Sequence, residues 1–203
     1  MTDDTLATRW ASLSSATVHE AAKRIGTLPS VIRPLASHLK VAGRAFPVAS
    51  PPGDNLWLHR AIYAASPGDV LVVDVGDGVE FGYWGEVMAL AAQQRGIAGL
   101  VISGGVRDSL RMIEMGFPVF SGAVCIRGTG KDPAGAGLLG GAVVLGGVTV
   151  TLGDWVLGDA DGVVVIPDAS AKDVIAEAES RDAMELEIFE RLKAGQRDRK
   201  SVV

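Results

Sequence analysis

The hydrophobic pattern between residues 70 and 106 constrains the fold of this chain more than any other feature. Residues 70–75 form a short apolar run after a Pro-Gly turn, and residues 100–102 form a second one. Continuous apolar runs of this length are typical of strands buried on both faces of a parallel sheet. The segment between them, residues 86–95, is predicted to be a helix. Strand–helix–strand units in sequence predict an α/β fold with right-handed crossovers.

The flanking regions extend this pattern. Residues 41–48 are predicted to form a strand. Upstream of it, Thr17 and Glu20 have the spacing of a helix N-cap and its capping acid, which predicts a helix that begins at Thr17 and ends at Gly26. After about residue 117 the chain reads as a series of short strands. From Asp168 onward it reads as one long helix. We therefore divide the chain into an α/β unit, residues 1–167, and a C-terminal helix and tail, residues 168–203.

Composition narrows the class of protein. At 203 residues, with 48% hydrophobic and 21% charged residues, the chain is expected to be globular with a large core. The net charge of −5 argues against nucleic-acid binding, which needs clustered Lys and Arg. A single cysteine, Cys125, excludes an internal disulfide and a thiolate zinc cluster, and we expect it to be buried. Because no long apolar run is present, we predict no membrane contact and a cytoplasmic location.

The pair Arg107-Asp108 is the strongest indication of chemistry. It follows the apolar run 100–102 and a Gly-Gly turn, and twenty residues separate it from Glu86, at the start of the predicted helix. A guanidinium suits a substrate carboxylate, and an aspartate suits a hard divalent metal. The free amides at a helix start suit the same carboxylate. The sequence therefore predicts a site for a small carboxylic acid and a metal ion.

Each of these residues also has a purely structural interpretation. Arg107-Asp108 can be a surface ion pair in which Asp108 caps the next helix. Gly85 can be only a turn residue, and Glu86 a first-turn acid that matches the helix dipole. His59 is far in sequence from the other histidines, so spacing gives no metal signal. Lys131, beside a Gly-rich turn, is a weak candidate for a Schiff-base lysine.

Six segments together resemble the class II pyruvate aldolases that cleave 4-hydroxy-4-methyl-2-oxoglutarate or 4-carboxy-4-hydroxy-2-oxoadipate. Their superfamily also contains the regulator of ribonuclease activity A, and is called RraA-like. The segments are Ala-Thr-Val-His-Glu-Ala (16–21), Pro-Pro-Gly-Asp-Asn (51–55), Gly-Tyr-Trp-Gly-Glu (82–86), Gly-Val-Arg-Asp (105–108), Met-Gly-Phe-Pro-Val (115–119) and Gly-Asp-Ala-Asp-Gly-Val (158–163). The resemblance implies a swivelling-type α/β/α fold, assembled as a homotrimer or hexamer with sites between subunits.

The resemblance also implies roles for individual residues. Those that would hold the substrate carboxylate through backbone amides are Gly85, Glu86, Val87 and Met88. Arg107 would clamp the substrate, and Asp108 would ligate Mg²⁺ or Mn²⁺. Glu86 stands where these aldolases commonly have an aspartate, and would hold metal-bound water. An acidic residue of the C-terminal arm reaches a neighbouring site in the family, and Glu187 is the candidate here.

These assignments predict a metal-dependent carbon–carbon lyase. It would cleave 4-hydroxy-2-oxo dicarboxylic acids to pyruvate by a retro-aldol reaction. Decarboxylation of oxaloacetate yields the same pyruvate enolate, so one site would catalyse both reactions. The alternative is a non-catalytic protein-binding module like the ribonuclease regulator. A stripe formed by Met184, Ile188 and Leu192 on the closing helix predicts an oligomer, because little of its own domain remains to cover it.

Overall fold

A computed structural model describes residues 3–196 of the chain, with the side chains of residues 3–5 left out. The helices are α1 (Asp3–Ser12), α2 (Ser15–Ala21), α3 (Leu56–Ala64), α4 (Glu86–Gln94), α5 (Ser109–Glu114) and α6 (Asp168–Lys193). The strands are β1 (Arg33–Pro34), β2 (Val41–Ala49), β3 (Asp69–Asp74), β4 (Gly82–Trp84), β5 (Gly99–Val106), β6 (Val119–Val124), β7 (Leu138–Leu139), β8 (Val143–Leu145), β9 (Val148–Val150), β10 (Trp155–Asp159) and β11 (Gly162–Ile166).

Nine of these strands form one mixed sheet in the order β1-β6-β5-β3-β2-β10-β11, with β4 beside β5 and β7 beside β2. The central strands β2, β3, β5 and β6 run parallel, as the strand–helix–strand pattern predicts. β10 and β11, and the short β1 and β7, pair antiparallel with their neighbours. The predicted α/β class with a C-terminal helix is confirmed, and the parallel part is the centre of the sheet.

Strand β3 shows why the run at 70–75 is continuously apolar. Val70 and Val72 point into one hydrophobic cluster, whereas Leu71 and Val73 point into another, and all four are fully buried. Successive side chains of a strand face opposite sides of the sheet, so a strand covered on both sides has no polar face. Helices α3 and α4 pack on the Leu71 side.

The sheet curls until its two edges approach each other. Arg33 of β1 donates a hydrogen bond from Nη1 to the carbonyl of Asp161, in the turn between β10 and β11, at 2.8 Å. Thr27 forms an isolated bridge with Val164. The enclosed side is filled mostly by valines, with Phe120 among them, and residues of the β8–β9 hairpin pack into the same cluster. The result is a nearly closed, barrel-like sheet.

The N-terminal helices and the first half of α6 cover β10 and β11. Trp10 and Trp155 meet there at a ring-centroid distance of 5.7 Å, and Arg9 binds both carboxylate oxygens of Glu179. The last buried residue of α6 is Ala178. Beyond it the helix exposes four large apolar side chains within one subunit, which are Met184, Leu186, Phe189 and Leu192.

Three local expectations differ from the structure. The helix cap is Ser14, not Thr17, because the Ser14 hydroxyl accepts the Thr17 amide at 3.0 Å. That helix ends at Ala21 rather than Gly26, since Lys23 and Arg24 adopt left-handed backbone angles that no α-helix allows. Cys125 is half-buried rather than buried. No helix within residues 3–196 is both long and apolar enough to cross a membrane.

Candidate functional site

The ends of β4 and β5 bring the predicted residues together. The two strands run parallel, so both finish at the same edge of the sheet, and Gly85 and Arg107 are the residues that follow them. The Arg107 amide donates to the Trp84 carbonyl at 2.8 Å, which fixes the two chain segments side by side. Carboxyl ends of parallel strands are the usual location of ligand sites in α/β proteins.

Asp108 is held in an unusual backbone conformation. Its φ of 55° and ψ of 33° are left-handed, a region that aspartate tolerates better than most residues. It occupies the cap position of α5, yet its side chain makes no hydrogen bond to that helix. Instead its Oδ2 accepts the amide of Glu86, the first residue of α4, at 3.2 Å. Asp108 therefore stands at the cap position of α5 but does not cap that helix through its side chain.

Gly85 provides the space that Asp108 occupies. A Cβ at position 85 would lie 2.4 Å from Oδ2 of Asp108 and 3.3 Å from Cγ of Arg107. The φ of Gly85 is −157°, extended backbone that many residues adopt, so conformational freedom is not the reason for glycine here. Gly85 is thus more than a turn residue, because it lets the pair Arg107-Asp108 approach the start of α4.

A cavity of about 220 Å³ opens at this edge. Its lining residues are Asn55, His59, Gly82, Tyr83, Trp84, Gly85, Val87, Met88, Arg107, Asp108 and Lys131. The side chains of Arg107 and Asp108 are about half exposed, at 51% and 45%, and Nε of Arg107 lies 4.0 Å from Oδ2 of Asp108. Because that contact is at the outer limit of an ion pair, both groups remain available to a ligand.

Most of the predicted site residues meet in this cavity. Gly85, Val87 and Met88 line it together with Arg107 and Asp108. Glu86 contributes its amide to Asp108, whereas its side chain is exposed and is not among the lining residues. Glu187, the candidate from the C-terminal arm, lies exposed on α6 and does not line the cavity.

Three lining residues with polar side chains, Asn55, His59 and Lys131, lie outside the predicted site, although the sequence indicated Lys131 as a candidate Schiff-base lysine. Asn55 and His59 lie one turn apart at the start of α3, where the His59 amide donates to the Asn55 carbonyl at 3.2 Å, and Lys131 comes from the loop after β6. Residues four apart in a helix share a face, so the Asn-x-x-x-His spacing was a signal available in the sequence. For Lys131 the available signal was the Gly-rich turn beside it.

Only one of the two polar atoms of the Asn55 side chain has a hydrogen-bond partner within the described residues. Its Nδ2 donates to the Tyr83 carbonyl at 2.9 Å, which orients the side-chain amide. Its Oδ1 has no hydrogen-bond donor within the described residues, although only 6% of Asn55 is exposed. A buried acceptor without a donor costs about 1–3 kcal/mol, so a ligand or water donor is expected there.

Burial lowers the pKa of the neighbouring His59 below its ordinary value, and the positive charge of Lys131 lowers it further. The neutral imidazole is therefore favoured near pH 7. Both residues line the cavity.

The donor set fits a hard divalent cation at Asp108. No group of three or more His, Cys, Asp or Glu side chains that could hold a metal occurs in the described part of the chain. Asp108 offers a half-exposed carboxylate that lines the cavity, whereas the Glu86 side chain is exposed at the start of α4 and only its backbone amide contacts Asp108. Mg²⁺ commonly binds through one or two carboxylates and takes its remaining ligands from water and substrate.

A family model described as RraA-like, Aldolase/RraA, matches residues 15–165. This chain belongs to the RraA-like family. A curated relative from Halalkalibacterium halodurans, named "Putative 4-hydroxy-4-methyl-2-oxoglutarate aldolase", is 34% identical over 176 residues, which cover 87% of this chain and 83% of the relative. The predicted membership of the RraA-like superfamily and its aldolase family is thereby confirmed.

Solved RraA-like structures share the fold. RraAS2 of Streptomyces coelicolor, an unusual member of the RNase ES inhibitor RraA family, matches with a TM-score of 0.77 and 27% identity over 95% of this chain and 100% of that chain. The RNA-processing inhibitor RraA from Thermus thermophilis matches with a TM-score of 0.69 and 25% identity, over 76% of this chain and 92% of that one. Proteins similar to this chain are therefore named as aldolases in some cases and as inhibitors of RNA processing in others.

Proposed function

We propose that this protein is a divalent-metal-dependent lyase that cleaves 4-hydroxy-2-oxo dicarboxylic acids to pyruvate. The observation that carries the proposal is the convergence of Arg107, Asp108 and the start of α4 on one cavity. These groups supply a cation, an anion and backbone amides within the space of a small acid. The aldolase name of a relative at 34% identity supports the same reaction class.

The start of α4 and Arg107 act together on the 2-oxo acid end of the substrate. The first amides of a helix lack intrahelical acceptors and carry the positive end of the helix dipole, so Val87 and Met88 suit the substrate carboxylate. The guanidinium of Arg107 suits the 2-oxo oxygen, where negative charge develops when the bond between C3 and C4 breaks. Both elements are fixed by the sheet edge, which pre-orients the substrate.

The reaction balances as a retro-aldol cleavage. The C4 hydroxyl loses its proton, C4 becomes a carbonyl, and the electrons of the C3–C4 bond form the enolate of pyruvate, which is then protonated at C3. Asp108 would hold Mg²⁺ or Mn²⁺ directly and Glu86 would contribute through a bound water, and the ion would supply Lewis-acid stabilisation of the enolate charge. Oxaloacetate loses CO₂ to give the same enolate, so its decarboxylation is a second expected activity.

A protein-binding regulator is the second candidate function. It is favoured by the likeness to the two inhibitors named above, which have the same fold. A regulator that acts only by surface contact has no need for a cavity that contains Arg107 and Asp108. The lyase proposal therefore accounts for more of the structure.

The test is pyruvate release measured with purified protein and Mg²⁺ on 4-hydroxy-4-methyl-2-oxoglutarate and, separately, on oxaloacetate. We expect turnover of both, above the rate with Mg²⁺ alone. No release from either compound with a correctly folded protein would reject the lyase and leave the regulator.

A further inference from the structure

Tyr83 is the middle residue of β4 and is fully buried, although it belongs to the cavity lining. Its hydroxyl donates a hydrogen bond to the Gly78 carbonyl at 2.6 Å and accepts one from the Gly53 amide at 2.7 Å. Burial raises the pKa of this phenol above its ordinary value, so the hydroxyl stays protonated near pH 7 and keeps both contacts. One side chain therefore joins the Gly-rich loop before β4 to the loop before α3.

Gly53 extends this contact to the loop after β6. Its amide binds the phenol, and its carbonyl accepts the Gly130 amide at 2.7 Å. The Gly130 carbonyl in turn accepts the Asn55 amide at 3.2 Å. Lys131 is the next residue after Gly130 and lines the cavity. The backbone position of Lys131 thus depends on Gly53, which the Tyr83 hydroxyl holds.

The loop that carries Lys131 has a second attachment. On the other side of the lysine, the Asp132 amide donates to the Asp54 carboxylate. The same carboxylate accepts the Leu56 amide at 2.7 Å, at the start of α3. With this attachment in place, loss of the phenol contact should shift Lys131 rather than release it.

The ring of Tyr83 fits between two glycines. A Cβ at Gly78 would lie 2.7 Å from the hydroxyl oxygen, and a Cβ at Gly104 would lie 2.9 Å from Cε2 of the ring. Phe81 packs against the ring edge at a centroid distance of 6.0 Å. A phenylalanine at position 83 keeps this packing and removes the hydroxyl alone. It also keeps the backbone carbonyl of residue 83, which accepts Nδ2 of Asn55 at 2.9 Å.

We propose that Tyr83 is a positioning residue whose hydroxyl, through Gly53 and Gly130, sets the place of Lys131 in the cavity lining. The importance of this position for catalysis rests on the proposed lyase function. The candidate site thereby extends beyond the side chains that line it, to a buried phenol and the glycine loop that the phenol holds.

The test is a double-mutant cycle in which NMR titration of the full chain reports the imidazole pKa of His59. The charge of Lys131 lowers that pKa, so displacement of the lysine raises it. We expect Tyr83→Phe to produce part of the rise that Lys131→Met produces, because Asp54 still holds the loop. Tyr83→Phe added to Lys131→Met should raise the pKa no further. Tyr63→Phe is the matched control, since that ring is 68% exposed and its hydroxyl has no hydrogen bond within the described residues.

An unchanged pKa of His59 in Tyr83→Phe or in Lys131→Met would overturn the proposal. So would a further rise in the double variant, because the phenol would then act on the burial of His59 and not through Lys131. If Tyr83→Phe does not fold, hydrogen exchange of the wild type decides. The Gly53 and Gly130 amides should both be protected, and rapid exchange of either contradicts the proposed chain of contacts.

Pyruvate release separates this proposal from the lyase. In an active enzyme, Tyr83→Phe should raise KM for oxaloacetate about threefold or more and change kcat less, since Arg107 and Asp108 stay in place. An unchanged KM would reject Tyr83 as a positioning residue for the reaction and leave the lyase standing. The predicted pKa cycle without any pyruvate release would keep the position of Lys131 and reject the lyase.

Discussion

The Asp108 carboxylate accepts a hydrogen bond from the Glu86 amide at 3.2 Å, so the acid that follows β5 is tied to the first residue of α4. This contact joins the two segments that the sequence separates by twenty residues. It also leaves the second carboxylate oxygen for a cation. The geometry of the candidate site therefore depends on a small number of backbone positions, and Gly85 is the first of them.

Replacement of Gly85 by alanine should displace the Asp108 carboxylate, because the new Cβ would lie 2.4 Å from Oδ2. We expect a loss of pyruvate release of about tenfold or more, the size of effect that small misplacements in active sites produce. Gly128→Ala is the matched control, since nothing lies within 4 Å of the Cβ it would add. Wild-type activity in Gly85→Ala would show that Asp108 need not occupy this position.

Arg107→Lys should impair the reaction although it keeps the charge. An ammonium group cannot reproduce the planar, two-pronged contact of a guanidinium, and the loss of one charge-assisted hydrogen bond costs about 1.5–3 kcal/mol. This corresponds to a decrease in kcat/KM of about 10–150-fold on oxaloacetate. Arg111→Lys, on the exposed face of α5, is the control. An unchanged kcat/KM would mean that Arg107 does not contact the substrate.

The exposed stripe on α6 should be a subunit interface. Met184 and Leu192 are 52% and 45% exposed in one subunit, whereas Ile188 between them is partly covered. Apolar patches of this kind usually mark contact surfaces. Met184→Glu combined with Leu192→Glu should therefore shift the protein to smaller species in light scattering, and the conservative control Glu185→Gln should not. A wild-type monomer at micromolar concentration would contradict the expected trimer or hexamer.

His59 should titrate below the ordinary histidine value. Burial is the larger cause of its lowered pKa and Lys131 the smaller, so Lys131→Met should raise the pKa part of the way back. Since the folded state disfavours protonation of His59, its contribution to stability is present above the unfolded pKa of about 6.5 and is lost as the pH falls below it. An NMR titration of the imidazole checks this. An unchanged imidazole pKa in Lys131→Met would show that the charge of Lys131 does not act on His59.

The sequence predicted the edge of the sheet at which the site lies, because residues that follow apolar parallel strands gather at one edge. It did not predict β4, a strand of three residues that follows a Gly-rich loop and pairs with β5. Without β4, the contact between Glu86 and Asp108 was not derivable. The sequence marked Lys131 only by the Gly-rich turn beside it, and did not predict that it lines the cavity. Its position depends on backbone pairing between Gly130 and Gly53, which leaves no periodic signal in the sequence.

The metal-dependent role of Asp108 is the central claim. The most direct test measures pyruvate release from 4-hydroxy-4-methyl-2-oxoglutarate after exhaustive chelation and after Mg²⁺ is restored. Wild-type protein should lose activity on chelation and regain it with Mg²⁺. Asp108→Ala should fold, as judged by circular dichroism, and remain at least a hundredfold less active with Mg²⁺ present. Full activity of the chelated wild type, or of Asp108→Ala, would contradict the account.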